Sequence, residues 1–282
     1  MTAAACLHAE ATEPYAPPEK EIAEKSLISK QFGNACATYE NASRLQRRMG
    51  EVMCHKLESG ENSLRPLRVL DLGCGTGWFA RRLSQMWPSA RVTGVDLSPA
   101  MIRRASEQSD ADIDWLVADA EALPLPDCSF DVVFSNLMIQ WCADPGPVFA
   151  QCRRLLRPGG RLMVSTLLDG TLRELVGAWA SADPGRPHVN RFETESFLQA
   201  RVAGELPGAS VETRTLQLPY ASPVALAAEL KQLGAGFKSE GRRKTLTAPG
   251  RVRAMCRQYP READGTVIAS YEAAWVDWGS AD

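Results

Sequence analysis

Apolar positions along this chain follow two rhythms, and their alternation is the first guide to its architecture. Near-continuous apolar runs at 69–72, 90–96, 113–120, 130–136 and 161–166, each bounded by turn residues, predict short strands buried on both faces. After the second run, Met101, Ile102 and Ala105 recur at helical spacing, with Ser98 at the N-cap and Pro99 at the first helical position. Strands alternating with helices predict an α/β fold with a mostly parallel central sheet, Rossmann-like in kind.

The flanks read differently. Upstream, Phe32, Ala35 and Tyr39, then Leu45, Met49, Val52 and Met53, recur at helical spacing and predict helices. Residues 1–25 are rich in Ala, Glu and Pro without apolar rhythm, which predicts a disordered extension. Downstream, the pattern predicts helices at 171–182 and 194–206, an alternating strand at 211–218, a helix opened by Ser222-Pro223, and a last strand at 267–276. The chain thus divides into the extension and one domain over 26–282: N-terminal helices 26–64, a core 65–168, a small substrate cap with connecting elements 169–262, and a final strand and tail 263–282.

Composition narrows the setting. A chain of 282 residues, 45% hydrophobic, can bury a substantial core, and a formal charge of −2 gives no pull toward nucleic acid or an anionic membrane. No run approaches the twenty or so apolar residues a membrane span needs, and no basic-then-apolar leader opens the chain, so a cytoplasmic protein is expected. Cys6, Cys36, Cys54, Cys74, Cys128, Cys142, Cys152 and Cys256 show neither a C-x-x-C pair nor metal-ligand spacing. They are expected as reduced structural thiols, with no metal site.

The candidate chemistry lies at the strand ends. Val69-Leu70-Asp71-Leu72-Gly73-Cys74-Gly75-Thr76-Gly77-Trp78 is a strand, a glycine-rich turn and a helix start, which lets backbone approach a ligand beside unpaired N–H groups. Such turns also serve dinucleotides, but there the third glycine falls one place later. Asp96 ends the second strand about twenty residues on, the position that holds a ribose diol in such folds. Taken singly, each residue also has an ordinary reading: a tight turn for the glycines, a helix cap for Asp96, a solvated strand end for Asp119, and core packing for Met101.

Gly73, Gly75 and Gly77, with Asp96 and Asp119, resemble the cofactor motifs of class I S-adenosylmethionine-dependent methyltransferases. The segments 32–39, 45–47, 135–141, 170–179, 188–192 and 230–235 resemble a narrower family, the malonyl-[acyl-carrier protein] O-methyltransferases of biotin synthesis. Asn136-Leu137-Met138-Ile139-Gln140-Trp141 and His188-Val189-Asn190-Arg191-Phe192 discriminate best, because every substrate class shares the glycine motif. Asn34 departs from an arginine common in that family, and the N-terminal extension is long for it. The resemblance implies S-adenosyl-L-methionine as cofactor, S-adenosyl-L-homocysteine as product, and an acyl-carrier protein bearing malonyl-phosphopantetheine, or malonyl-CoA, as methyl acceptor.

The candidate cofactor set is Asp71, Gly73, Cys74, Gly75, Gly77, Asp96, Leu97, Met101, Asp119, Ala120 and Asn136, with Asp119 implied by the resemblance to accept from the adenine amine. Tyr39, Gln140, Trp141, His188 and Arg191 are candidates for positioning the substrate, and no general base is required. Arg191 is the expected grip on the malonyl carboxylate, because a guanidinium offers that group paired donors. Three basic clusters could meet an acidic carrier: Arg47-Arg48, Arg153-Arg154 with Arg157, and Lys238 with Arg242-Arg243-Lys244. Two other functions share the same core, a C- or O-methyltransferase of quinones or phenols and a cofactor-binding scaffold without turnover.

Overall fold

The computed structural model describes residues 19–58, 68–109, 111–235 and 248–280. Its elements run α1 (Glu19–Ala35), α2 (Arg44–Glu58), β1 (Arg68–Leu72), α3 (Trp78–Met86), β2 (Arg91–Asp96), α4 (Pro99–Glu107), β3 (Ile113–Val117), β4 (Phe130–Asn136), α5 (Gly146–Leu155), β5 (Leu156–Leu167), α6 (Arg173–Ala182), α7 (Glu195–Glu205), β6 (Ser210–Tyr220), α8 (Pro223–Gln232), α9 (Pro249–Gln258) and β7 (Val267–Gly279). Single 3₁₀ turns at Tyr39–Ala42 and Ile139–Trp141 complete the framework.

Seven strands form one sheet in the order β3-β2-β1-β4-β5-β7-β6. Strands β3, β2, β1, β4 and β5 are parallel, while β7 runs antiparallel to both β5 and β6. The order reverses direction between β1 and β4, and in open α/β sheets the crevice outside the carboxyl ends at such a switch is where ligands bind.

Burial on both faces explains the uninterrupted apolar runs. On one face Met49, Met53, Phe79, Leu83, Phe134 and Trp275 pack together, and on the other Leu70, Leu72, Phe149, Leu155, Leu162 and Val276. Neighbouring positions of one strand, Val133 and Phe134, serve opposite faces, as a side-chain period of two requires. Trp275 closes the first face and donates its indole N–H to the Met49 carbonyl at 3.1 Å, tying α2 to β7.

Several expectations change. Helix α1 begins at Glu19, inside the segment expected to lack structure, because tertiary ion pairs at Lys25 replace the missing apolar rhythm. Strand β5 starts at Leu156, five residues before the apolar run at 161–166, and so takes in Arg157-Pro158-Gly159-Gly160. Ser98 stands at the N-cap of α4, but its hydroxyl makes no capping bond; Thr194 and Ser222 do cap their helices, accepting from Phe197 and Ala225. Cys128 is disulfide-bonded rather than reduced. It sits half-buried in the turn before β4, a placement that spacing along the sequence does not register. Cys36, Cys54, Cys74, Cys142, Cys152 and Cys256 are free. No helix among the described residues is long and apolar enough to cross a membrane.

Candidate active site

Three adjoining cavities lie along the carboxyl edge at the switch between β1 and β4. The first is lined by Tyr39, Gly73, Gly75, Asp96, Leu97, Met101, Asp119, Ala120, Asn136 and Trp141, together with Lys25, Ser29 and Phe32 of α1. A smaller second cavity continues from it past Gly73 and Asn136 to Asp71, Cys74, Gln46, Arg47 and Thr76. The third opens on the other side of Tyr39 and is lined by Gln46, Leu137, Gln140, Trp141, His188, Asn190 and Tyr271 among others. Tyr39 lines all three.

The glycine turn is shaped by what cannot fit there. Gly73 has φ 78°, and a Cβ added to it would come within 2.4 Å of Met138 Cγ. Gly77 has φ 80°, but its hypothetical Cβ meets Trp115 at 2.5 Å and it lines none of the three cavities. Its need for glycine comes from packing against Trp115 and from its positive φ. Leu137, a non-glycine residue at φ 57°, lies where β4 leaves the sheet, and its N–H is held by Ser165 at 3.1 Å. Backbone strain of this kind gathers at functional sites because the surrounding structure must impose it.

The carboxylates carry the electrostatics. Asp96 accepts from Gly75 N–H at 2.9 Å and from Ser98 N–H at 2.8 Å, which fixes both of its oxygens while leaving further lone pairs for a ligand. Burial raises its pKa, against the pull of those two N–H groups. Asp71, 2% exposed, is pushed up to about 8 by burial and by the nearby Asp96 charge, although the Ala80 N–H at the start of α3 draws it back. Asp119 accepts from Glu121 N–H at 3.0 Å and pairs with Lys25 at 2.9 Å, so α1 reaches across the first cavity to its far wall.

Tyr39 is carried by a 3₁₀ turn clamped to the glycine loop. Glu40 accepts from Thr76 and Arg81, both at 2.9 Å, and the Glu40 carbonyl accepts from Arg47 at 2.7 Å. Burial, with Asp96 and Asp71 nearby, pushes the Tyr39 hydroxyl far above its ordinary pKa, so it acts as a neutral donor and not as a base. On the third cavity's wall, Trp141 meets Phe32 edge-on at 4.9 Å, and Gln140 Oε1 accepts from Thr166 at 3.3 Å. His188 stacks on Trp179 at 3.8 Å and is held through Nε2 by Asp183 at 3.0 Å.

Arg191 is not brought into this arrangement. Its side chain is exposed, and while Asn190 and Phe192 on either side line the third cavity, Arg191 does not. The segment is irregular, so the side each residue faces is set by packing, which a choice made by functional group alone overlooks. Two of the basic clusters are already engaged: Arg153, Arg154 and Arg157 pair with Glu205, Asp127 and Asp131, and Arg47 lies 4.0 Å over the Trp78 ring. The cluster from Lys238 to Lys244 lies outside the described residues.

Three residues the sequence reading did not assign to the site are Lys25, Gln46 and Arg47. Gln46 Oε1, Arg47 Nε and Asp71 Oδ2 are buried and make no hydrogen bond. Unpaired buried polar atoms are rare in native proteins and call for a ligand or another explanation. An unpaired carboxylate oxygen and an unpaired guanidinium N–H sharing the second cavity suit the ammonium and carboxylate of an amino acid. The first cavity, with Asp96 and Asp119 at its ends, suits a nucleoside. The donor set therefore fits S-adenosylmethionine.

Fold, glycine turn and acidic strand ends together define a class I methyltransferase. Residues 70–164 match the family model described as "Methyltransferase domain". The phosphoethanolamine N-methyltransferase 2 of Haemonchus contortus superposes with a TM-score of 0.58 at 19% identity, over 94% of this chain and 62% of that one, a likeness of fold. The malonyl-[acyl-carrier protein] O-methyltransferase of Hahella chejuensis is 40% identical over 253 residues, 89% of this chain and 88% of the relative. The biotin biosynthesis bifunctional protein BioHC of Cellvibrio japonicus is 37% identical over 256 residues, 90% of this chain and 50% of the relative. The chain belongs to the malonyl-[acyl-carrier protein] O-methyltransferases.

Proposed function

We propose that this protein methylates the free carboxylate of malonyl-[acyl-carrier protein], giving the malonyl methyl ester used in biotin synthesis. The observation that carries the reading is the third cavity: it meets the cofactor cavities at Tyr39, and among the described residues its lining offers the neutral amides of Gln46 and Gln140, with Glu229 paired to Arg44. A carboxylic acid with a pKa near 4 is about 99.9% ionised at pH 7, so the acceptor needs no base. Bound in the first two cavities, S-adenosylmethionine supplies an electrophilic methyl group and leaves as S-adenosylhomocysteine.

The chain's own work is orientation and exclusion of water. Tyr39, Phe32 and Trp141 enclose the junction between cofactor and acceptor, and holding reactants in near-attack geometry can supply several kcal/mol, up to about 7–11. Asp96 and Asp119 hold the nucleoside end; Asp71 and Arg47 hold the amino-acid end. Tyr39 and Gln140 offer neutral donors, which steer a carboxylate without neutralising it. His188, already tied to Asp183 and Trp179, shapes the wall and accepts no proton from the substrate.

An acceptor on a pantetheine arm can come from the carrier protein or from coenzyme A, and the carrier is the favoured source, following the family. Purified protein given methyl-labelled S-adenosylmethionine should transfer label to malonyl-acyl-carrier protein at a higher kcat/KM than to malonyl-CoA. Label in neither product would sink the reading.

A further inference from the structure

We infer that Gln46 positions the substrate, its carboxamide nitrogen donating to the malonyl oxygen that does not attack. The inference rests on the proposed function and adds a residue to it. Among the described residues, Gln46 and Tyr39 are the two that line both the amino-acid end of the cofactor site and the acceptor cavity. A methyl acceptor must present its reacting group at that seam. The group there is the carboxylate, with the thioester further back toward His188 and Asn190.

The backbone of Gln46 is fixed from the sheet. Asn136 at the end of β4 donates its side-chain N–H to the Gln46 carbonyl at 2.9 Å, and Ser165 on β5 donates to Asn136 Oδ1 at 2.7 Å. The side chain is left out of this network: Oε1 is buried without a partner, and Nε2 makes no hydrogen bond among the described residues. Gln140, across the same cavity, is already oriented by Thr166. A half-buried amide at the seam of two cavities, with neither end hydrogen-bonded, can turn its nitrogen to a ligand. A neutral amide also suits the chemistry, since it orients one oxygen and leaves the carboxylate its charge for attack, whereas a paired guanidinium would hold that charge back.

Gln46→Leu and Gln46→Glu test the assignment. Gln46→Leu should lower kcat/KM for malonyl-acyl-carrier protein and malonyl-CoA alike by about tenfold or more, the loss of one hydrogen bond to a charged group. Cofactor affinity by calorimetry and the melting temperature should stay near wild type. Gln46→Glu should lose more at pH 7 and recover in part as pH falls toward about 4, where about half or more of the glutamic acid is protonated and donates again. A parallel loss of cofactor affinity, melting temperature and activity, without recovery at low pH, would mean a structural role and overturn the inference, as would full activity in Gln46→Leu. Wild-type protein inactive on both malonyl thioesters would instead overturn the functional reading itself.

Discussion

Asp71 is the residue whose chemistry depends most on what lies beside it. With a pKa near 8 it is about nine-tenths protonated at pH 7, and a cationic ammonium at its unpaired oxygen favours the ionised form. Cofactor binding at pH 7 should therefore release a proton, and affinity should rise from about pH 6 to about pH 8 as the carboxyl ionises unaided. Calorimetry in buffers of different ionisation enthalpy reads this directly; Asp71→Asn should abolish the release. Asp96→Asn should weaken cofactor binding by roughly 1.5–3 kcal/mol, because the amide cannot accept at both ends from Gly75, Ser98 and a ribose. Arg191→Ala should leave kcat/KM for malonyl-CoA within about threefold of wild type, a surface-scale effect; a hundredfold loss would return Arg191 to the acceptor site. The contrast between these residues says what was legible. Asp96 and Asp119 were readable because β-strand ends have fixed addresses in this sheet. Arg191 lies off the cavity wall because the side a loop residue faces is set by packing, and Gln46 drew no assignment because nothing in an amide's spacing reveals that it will be left unpaired.

Helix α1 shows how an element can be held by charge where apolar pattern is weak. Ile22 and Leu27 are exposed, so burial alone does not dock it, while Lys25 pairs with Glu21, Asp119 and Glu121 at 2.8–2.9 Å with little exposure. Removing one partner from a largely buried network leaves the others uncompensated. Lys25→Met should speed hydrogen exchange in α1 and raise the cofactor dissociation rate, with melting of the sheet core little changed. Unchanged exchange would mean that Phe32 and its neighbours suffice. This also explains why 19–25 looked unstructured in the sequence: its partners lie about ninety residues away, beyond any local rhythm. The central strands were legible for the opposite reason, because burial on both faces writes itself into consecutive apolar residues.

At the scale of the whole molecule, the switch between β1 and β4 opens a crevice that the N-terminal helices cover and the segment after β5 extends. The cavities proposed for cofactor and acceptor meet at one seam, with Tyr39 lining both. The acceptor proposed for this seam is a free carboxylate. Intact-mass analysis of carrier protein incubated with this enzyme and S-adenosylmethionine tests it most directly. Malonyl carrier protein should gain the mass of one methylene and lose it on mild base treatment, acetyl carrier protein should be untouched, and the succinyl form, one carbon longer, should react more slowly. A base-stable methyl on the malonyl carrier, equal labelling of the acetyl carrier, or transfer to a demethylmenaquinone-type phenol in place of malonyl would contradict it.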